Sequence, residues 1–247
     1  MICYIYDGSF DGLLTAVYES YYMQEKPEQI LRKEHFLPDF FIEPIYIKTN
    51  KEKAYKVYNA IKDKVSHEAL KYVFYVFLSE LKESSTLIYR YLKLAFKIGK
   101  DINLHMHNSI VLSVHKISSK VTNEAHRMLG FIRFKFLASN VYYAAMEPDH
   151  NILQLIMPHF SKRFSSQNFI IHDRKREIAA LYNKEKWVIV DMLKADSEKL
   201  FLNNNDEVYE KLWKQYFSSI TIENRKNRKL QKSYMPERYW KFLTEML

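Results

Sequence analysis

The chain has 247 residues, 47% of them hydrophobic and 15% aromatic, with 38 lysines and arginines against 29 acidic residues for a net charge of +9. That is ample material for a packed core, whereas the longest apolar run, residues 72–78, is far short of the roughly 20 residues that cross a bilayer, and no charged-then-apolar leader opens the chain. A cytoplasmic protein without a membrane partner is expected, and its single cysteine, Cys3, excludes an intrachain disulfide framework, a cysteine zinc site and an iron–sulfur cluster.

Residues 2–6 alternate and carry Ile and Tyr, which predicts a strand holding a buried Cys3. Asp7-Gly-Ser-Phe-Asp-Gly12 then turns into a helix to about residue 24. A segment interrupted by Pro27, Pro38 and Pro44 leads to a strand near residues 45–48, and residues 51–97 read as helical. There Val57, Ile61 and Val65 recur every four residues. A further helix is expected over residues 109–129, closed by Gly130 as a left-handed cap. Only four glycines occur, so Gly8, Gly12, Gly99 and Gly130 are each expected to mark a positive φ or a close approach.

The second half changes character. Residues 131–137 and 141–146 read as strands joined by a turn at Ser139 and Asn140, followed by a helix over residues 151–160 whose Pro158 should lie near an end or a kink. Residues 169–172, 178–182 and 187–190 read as three more strands, and Asp206 is placed to cap a helix through Phe217. Pro236 suits the first turn of a final helix, on which Tyr239, Trp240, Phe242, Leu243, Met246 and Leu247 form an apolar docking face. Strands and helices come in blocks, so the fold class expected is α+β, helix-rich with a central, mainly antiparallel sheet. Residues 1–247 are read as a single domain with a helical lobe at about 51–100.

Four stretches could carry function. The Asp7 to Gly12 loop joins a strand to a helix and could hold a phosphate on backbone amides, but Asp7 and Asp11 compete with an anion and Ser9 or Asp7 could simply cap the helix. Around Glu124, His126, Arg127 and Arg133, a helix end meets a strand; Glu124 or His126 could move protons and Arg133 could clamp a phosphate, or the helix dipole could account for the cluster. Arg163 and Arg174 sit in short basic clusters beside aromatics, a pattern used to hold unpaired bases, although Asp173 and Arg174 could equally form an ordinary exposed turn. From Thr221 to Leu247 seven cations face three acids, and Arg225, Arg228 and Lys232 at i, i+3 and i+7 would line one helical stripe, with Arg238 outward on the last helix. The same stripe also suits a plain solvated face. The nine histidines are scattered and no serine-nucleophile elbow occurs, so no metal and no cofactor is expected.

Three of these stretches carry a resemblance. Tyr-Asp-Gly-Ser-Phe-Asp-Gly at residues 6–12, Glu-x-His-Arg-Met-x-Gly-Phe-x-Arg-Phe at residues 124–134 and Met-Pro-x-Arg-Tyr-Trp-Lys at residues 235–241 resemble the shared motifs of a bacterial family associated with DNA metabolism. Members of that family are associated with a radical-SAM partner protein, and longer versions carry a uracil-DNA-glycosylase-like domain. The matching positions are Asp7, Gly8, Ser9, Phe10, Asp11 and Gly12, then Glu124, His126, Arg127, Gly130, Arg133 and Phe134, then Pro236, Arg238, Tyr239 and Trp240. The 247 residues hold no three-cysteine cluster of a radical-SAM enzyme, and the glycosylase-like domain of the longer versions is expected to be absent. The resemblance implies a DNA-repair or DNA-modification accessory protein that binds DNA and works with a radical-SAM partner. An enzyme acting on a DNA base or nucleotide, and a protein-interaction subunit without DNA contact, are the alternatives.

Overall fold

A computed structural model of the chain describes residues 1–137, 140–196, 207–225 and 227–246; the expectations for Ser139, Asp206 and Leu247, and the charge of Lys226, fall outside them. The fold is α+β and rich in helix. It divides into two compact units, Met1–Thr122 and Asn123–Leu247.

The first unit is built on a parallel sheet of order β2-β1-β3, with β1 at Ile2–Tyr6, β2 at Gln29–Arg32 and β3 at Glu43–Tyr46. The central strand is covered on both faces, and Cys3, Tyr4, Ile5 and Tyr6 are all buried. Helix α1, Phe10–Tyr22, follows β1 and starts at Ser9, whose hydroxyl accepts from the Gly12 amide. Helix α2, Lys51–Ala60, starts at Asn50, runs into a π turn at Ile61–Val65, and is followed by α3, His67–Leu78, capped by Ser66. The predicted row of Val57, Ile61 and Val65 is buried along this stretch. Helix α4, Ser84–Ile98, ends at Gly99, whose φ of 85° is open to glycine at little cost. Strand β2 lies inside the proline-interrupted segment, where no strand was expected.

The boundary between the units falls within α5, Ser109–Phe131. Gly130 is therefore not the cap the sequence suggested. It lies inside the helix, and it is not among the positive-φ glycines. Nor does a strand start at Phe131: β4 covers only Lys135–Leu137, so Arg133 sits on the connection between helix and strand.

The second unit holds a five-stranded sheet of order β4-β5-β6-β7-β8, with β5 at Val141–Met146, β6 at Asn168–Asp173, β7 at Ile178–Tyr182 and β8 at Trp187–Asp191. Only the β5–β6 pair is parallel, as the crossover through α6, Leu153–Arg163, requires. Leu153, Ile156, Met157 and Phe160 of α6 are buried. Phe134 packs edge-on against Phe160, Phe164 and Phe169, which makes this motif residue part of the core. Pro158 falls in the middle of α6 rather than near an end, and its missing amide removes one intrahelical bond.

The tail departs most from expectation. Helix α7, Glu207–Ser219, is followed by a 3-10 turn at Glu223–Arg225 and a short α8, Arg228–Tyr234, capped by Asn227. The side chain of Asn227 takes the Leu230 amide and starts a new helix there, so Arg225 does not share a helical stripe with Arg228 and Lys232. The expected final helix is instead two 3-10 turns, Glu237–Phe242 and Thr244–Met246, and Pro236 precedes the first rather than lying within it. Tyr239 and Leu243 are buried, whereas Trp240, Phe242 and Met246 are half-buried.

Candidate nucleic-acid interface

In the first unit the Asp7 loop lies at the carboxyl ends of β1 and β3, where α1 and α2 begin. Its polar groups bond to one another. Asp7 Oδ1 accepts from the Ser9 amide at 2.9 Å and the Ser9 hydroxyl at 2.6 Å, while Oδ2 accepts from Thr49 Oγ1 at 2.8 Å. Burial works against the Asp7 carboxylate, but these bonds outweigh it and hold its pKa below the usual range. A Cβ on Gly12 would come within 2.2 Å of Asp7 Oδ1, so glycine is what lets the carboxylate fold over the start of α1. Phe10 packs edge-on against Phe74 and Phe77. The positive end of α1 is thus served by the chain's own Asp7 and Ser9, while Asp11 is exposed.

In the second unit the central and final motifs meet. Glu124, on the last turns of α5, is 6% exposed. Its Oε1 accepts from the Asp149 amide at 2.8 Å and from the Tyr239 hydroxyl, and its Oε2 accepts from the His150 amide at 2.9 Å. Burial and the Glu124 bond raise the Tyr239 pKa, keeping the phenol protonated as the donor this arrangement needs. Arg238 donates to the Tyr239 hydroxyl at 2.9 Å and pairs with Asp149 at 2.7 Å. The β5–α6 loop is held from other directions too: Arg176 donates to the carbonyls of Pro148 and Asp149, and Lys241 bonds Glu147.

A second anchor lies beside the first. Arg133 donates to Glu245 through Nε at 3.2 Å and Nη2 at 2.6 Å, and Trp213 Nε1 donates to the same carboxylate at 2.9 Å. Burial opposes the charge on Glu245, but these bonds keep its pKa below the ordinary carboxylate range. Arg133 also reaches the Gly130 carbonyl at 2.7 Å.

These contacts sort the predicted residues. Arg133 is half-buried against Glu245, Arg238 stays exposed, as expected, while it pairs with Asp149 and donates to Tyr239, and Glu124 accepts from three donors. Lys232 makes a surface pair with Glu237 at 2.6 Å. Arg174 opens the turn after β6, half-buried, with its amide bonded to the Met146 carbonyl. His126 is exposed on α5, Arg163 is exposed at the end of α6 near the Phe164 ring, and Arg225 and Arg228 are exposed on the tail. Sequence reasoning missed Asp149, His150, Trp213 and Glu245, all of which act through contacts with residues distant in the chain. Asp149 and His150 do follow a strand and Pro148, a place where loop amides need acceptors. The unit carries 21 of the cationic side chains against 15 acidic ones, so +6 of the +9 lies here. Among the described residues there is no cluster of three metal-ligating side chains, and no helix is long and apolar enough to cross a membrane.

A family model described as a domain of unknown function, DUF4130, matches residues 82–245. No curated protein matches the chain.

Proposed function

We propose that this chain, which belongs to the DUF4130 family, is a nucleic-acid-binding accessory protein of DNA repair or modification that serves a radical-SAM partner. The observation that carries the reading is the division of labour in the tail: Tyr239 and Glu245 tie it to the folded body, while Arg225 and Arg228 stay exposed in the segment before the anchor. A cation held on a tethered short segment is a phosphate contact that costs little ordering entropy on binding. The unit's positive balance supports the same partner chemistry by drawing in polyanions. The radical-SAM partner and the DNA process come from the motif resemblance.

Catalysis by this chain is the weaker reading. Glu124 is engaged by two backbone amides and a phenol, which leaves it poorly placed to take a proton from a substrate. A mobility-shift assay on single-stranded and duplex DNA at low salt tests the proposal: a shift that salt abolishes is expected, and no shift with either substrate would refute it.

A further inference from the structure

A surface in the first unit gathers exposed aromatic rings beside lysines. Along the second half of α1, Tyr18 stacks on Tyr22 with ring centroids 4.4 Å apart and planes 22° apart, and Tyr21 meets Phe96 of α4 edge-on at 6.2 Å. Tyr21 is 48% exposed and Tyr22 71% exposed. With Lys56 of α2 and Lys64 of the π turn, these rings line a groove of about 340 Å³. That is at the lower end of the roughly 300–1,000 Å³ of small-ligand clefts. Single exposed aromatics are ordinary; a contiguous set of rings, two of them stacked, marks a surface that something covers.

Charge narrows what that is. None of the side chains lining the groove is acidic. The Lys53 and Lys56 ammonium groups lie 5.5 and 6.0 Å from the Tyr18 ring centroid, and the nearby Glu19 is neutralised by Lys53 at 2.5 Å. A second copy of the chain placed symmetrically on this face would bring lysines toward lysines. Aromatic faces beside uncompensated lysines suit a ligand that offers flat rings and negative charge together, which is an unpaired stretch of nucleic acid. Duplex bases keep their faces inside the stack and do not fit.

We propose that this groove on α1, α2 and α4 is a binding site for single-stranded nucleic acid, with Tyr22 and Tyr21 stacking on bases and Lys56 and Lys64 on phosphates. The inference rests on the nucleic-acid-binding reading and gives that reading a strandedness and a second site.

The test is fluorescence anisotropy of the full-length protein with a labelled oligothymidylate and with a labelled duplex, for wild type, Tyr22→Ala, Tyr22→Phe and Lys56→Gln/Lys64→Gln. Tyr22 is mostly exposed, so its truncation should leave the fold intact, which circular dichroism checks. Loss of one stacking ring should weaken oligothymidylate binding roughly 5- to 150-fold, whereas Tyr22→Phe keeps the ring and should bind as wild type. The lysine pair should lower the salt slope on the single strand by about 1.4, at about 0.7 per contact. Duplex binding should be unchanged in all three. If Tyr22→Ala binds the single strand as wild type does, the groove is overturned while the tail reading stands. If wild type binds neither probe at low salt, both fall. A dimer that Tyr22→Ala dissociates, or polyglutamate competing as well as the oligonucleotide, would assign the surface to a protein and overturn the proposal.

Discussion

Replacing Glu124 with glutamine exchanges one carboxylate oxygen for an NH2 group in a place where every neighbour donates. With the NH2 at the Oε2 position it faces the His150 amide; at the Oε1 position it faces the Asp149 amide. Tyr239 can rotate its hydroxyl, but a backbone amide cannot change sign, so one amide loses its acceptor in either orientation. An orphaned buried donor costs about 1–3 kcal/mol, and the surviving bonds fall from charge-assisted to neutral strength, roughly another 1 kcal/mol. The expected loss is therefore about 2–4 kcal/mol, a large part of the roughly 5–15 kcal/mol that holds a domain together. Tyr239→Phe removes one donor and leaves both amides satisfied, so it should cost about 1–2 kcal/mol. All three tryptophans, Trp187, Trp213 and Trp240, lie in the second unit, so urea unfolding followed by tryptophan fluorescence reports on this unit directly. Amide exchange at Asp149 and His150 should accelerate in the glutamine variant. A Glu124→Gln protein within about 0.5 kcal/mol of wild type would refute the structural role of this carboxylate and revive it as a reactive group.

Two further outcomes follow from the geometry. Gly12→Ala, in an ordinary helix interior, would stabilise by about 1 kcal/mol; here the added Cβ meets Asp7 Oδ1, so a loss of about 1–3 kcal/mol is expected by calorimetry. In an Asp7→Ala background the loss should shrink, leaving Thr49 Oγ1 at 2.9 Å and Ser9 Oγ at 3.0 Å as the remaining close neighbours, and a loss unchanged in that background would show the clash is elsewhere. Burial lowers the pKa of His172, which accepts from Tyr143 at 2.8 Å and donates to the Met192 carbonyl at 2.9 Å as a neutral ring. A histidine with a depressed folded-state pKa contributes stability that is present above its unfolded value near 6.5 and lost as pH falls through the folded one. Urea midpoints of the second unit should hold steady above pH 6.5 and fall below it, with a smaller fall in His172→Gln; an equal fall in both proteins would remove His172 from the explanation.

What was legible in the sequence was mostly local. Ser9 announced its cap, the Val57, Ile61 and Val65 repeat announced a buried stripe, and short runs of β-branched and aromatic residues between turn signals marked β5 to β8. Elsewhere local signals misled, some because a distant contact decided the outcome and some because a nearby one did. Gly130 read as a cap, but the helix continues one residue further and the Gly130 carbonyl takes Arg133. Arg133 read as a ligand clamp because an arginine among aromatics needs a partner, and the partner proved to be Glu245, 112 residues away. Strand β2 was hidden because it is four residues long and follows Pro27, and what defines it is pairing with β1. In the tail the aromatic anchor was visible, and Tyr239 and Leu243 are indeed buried; the helix type was not, since Asn227 and Pro236 break the run into short turns.

The claim that matters most is that the exposed cations of the tail contact phosphate. Duplex binding measured against salt concentration, for wild type and for the Arg225→Gln/Arg228→Gln/Lys232→Gln variant, addresses it most directly. Each lost contact should reduce the log–log slope by about 0.9, so the triple variant should lose roughly 2–3 units of slope along with its affinity at moderate salt. An unchanged slope and unchanged affinity would contradict the account and leave the tail as a solvated face.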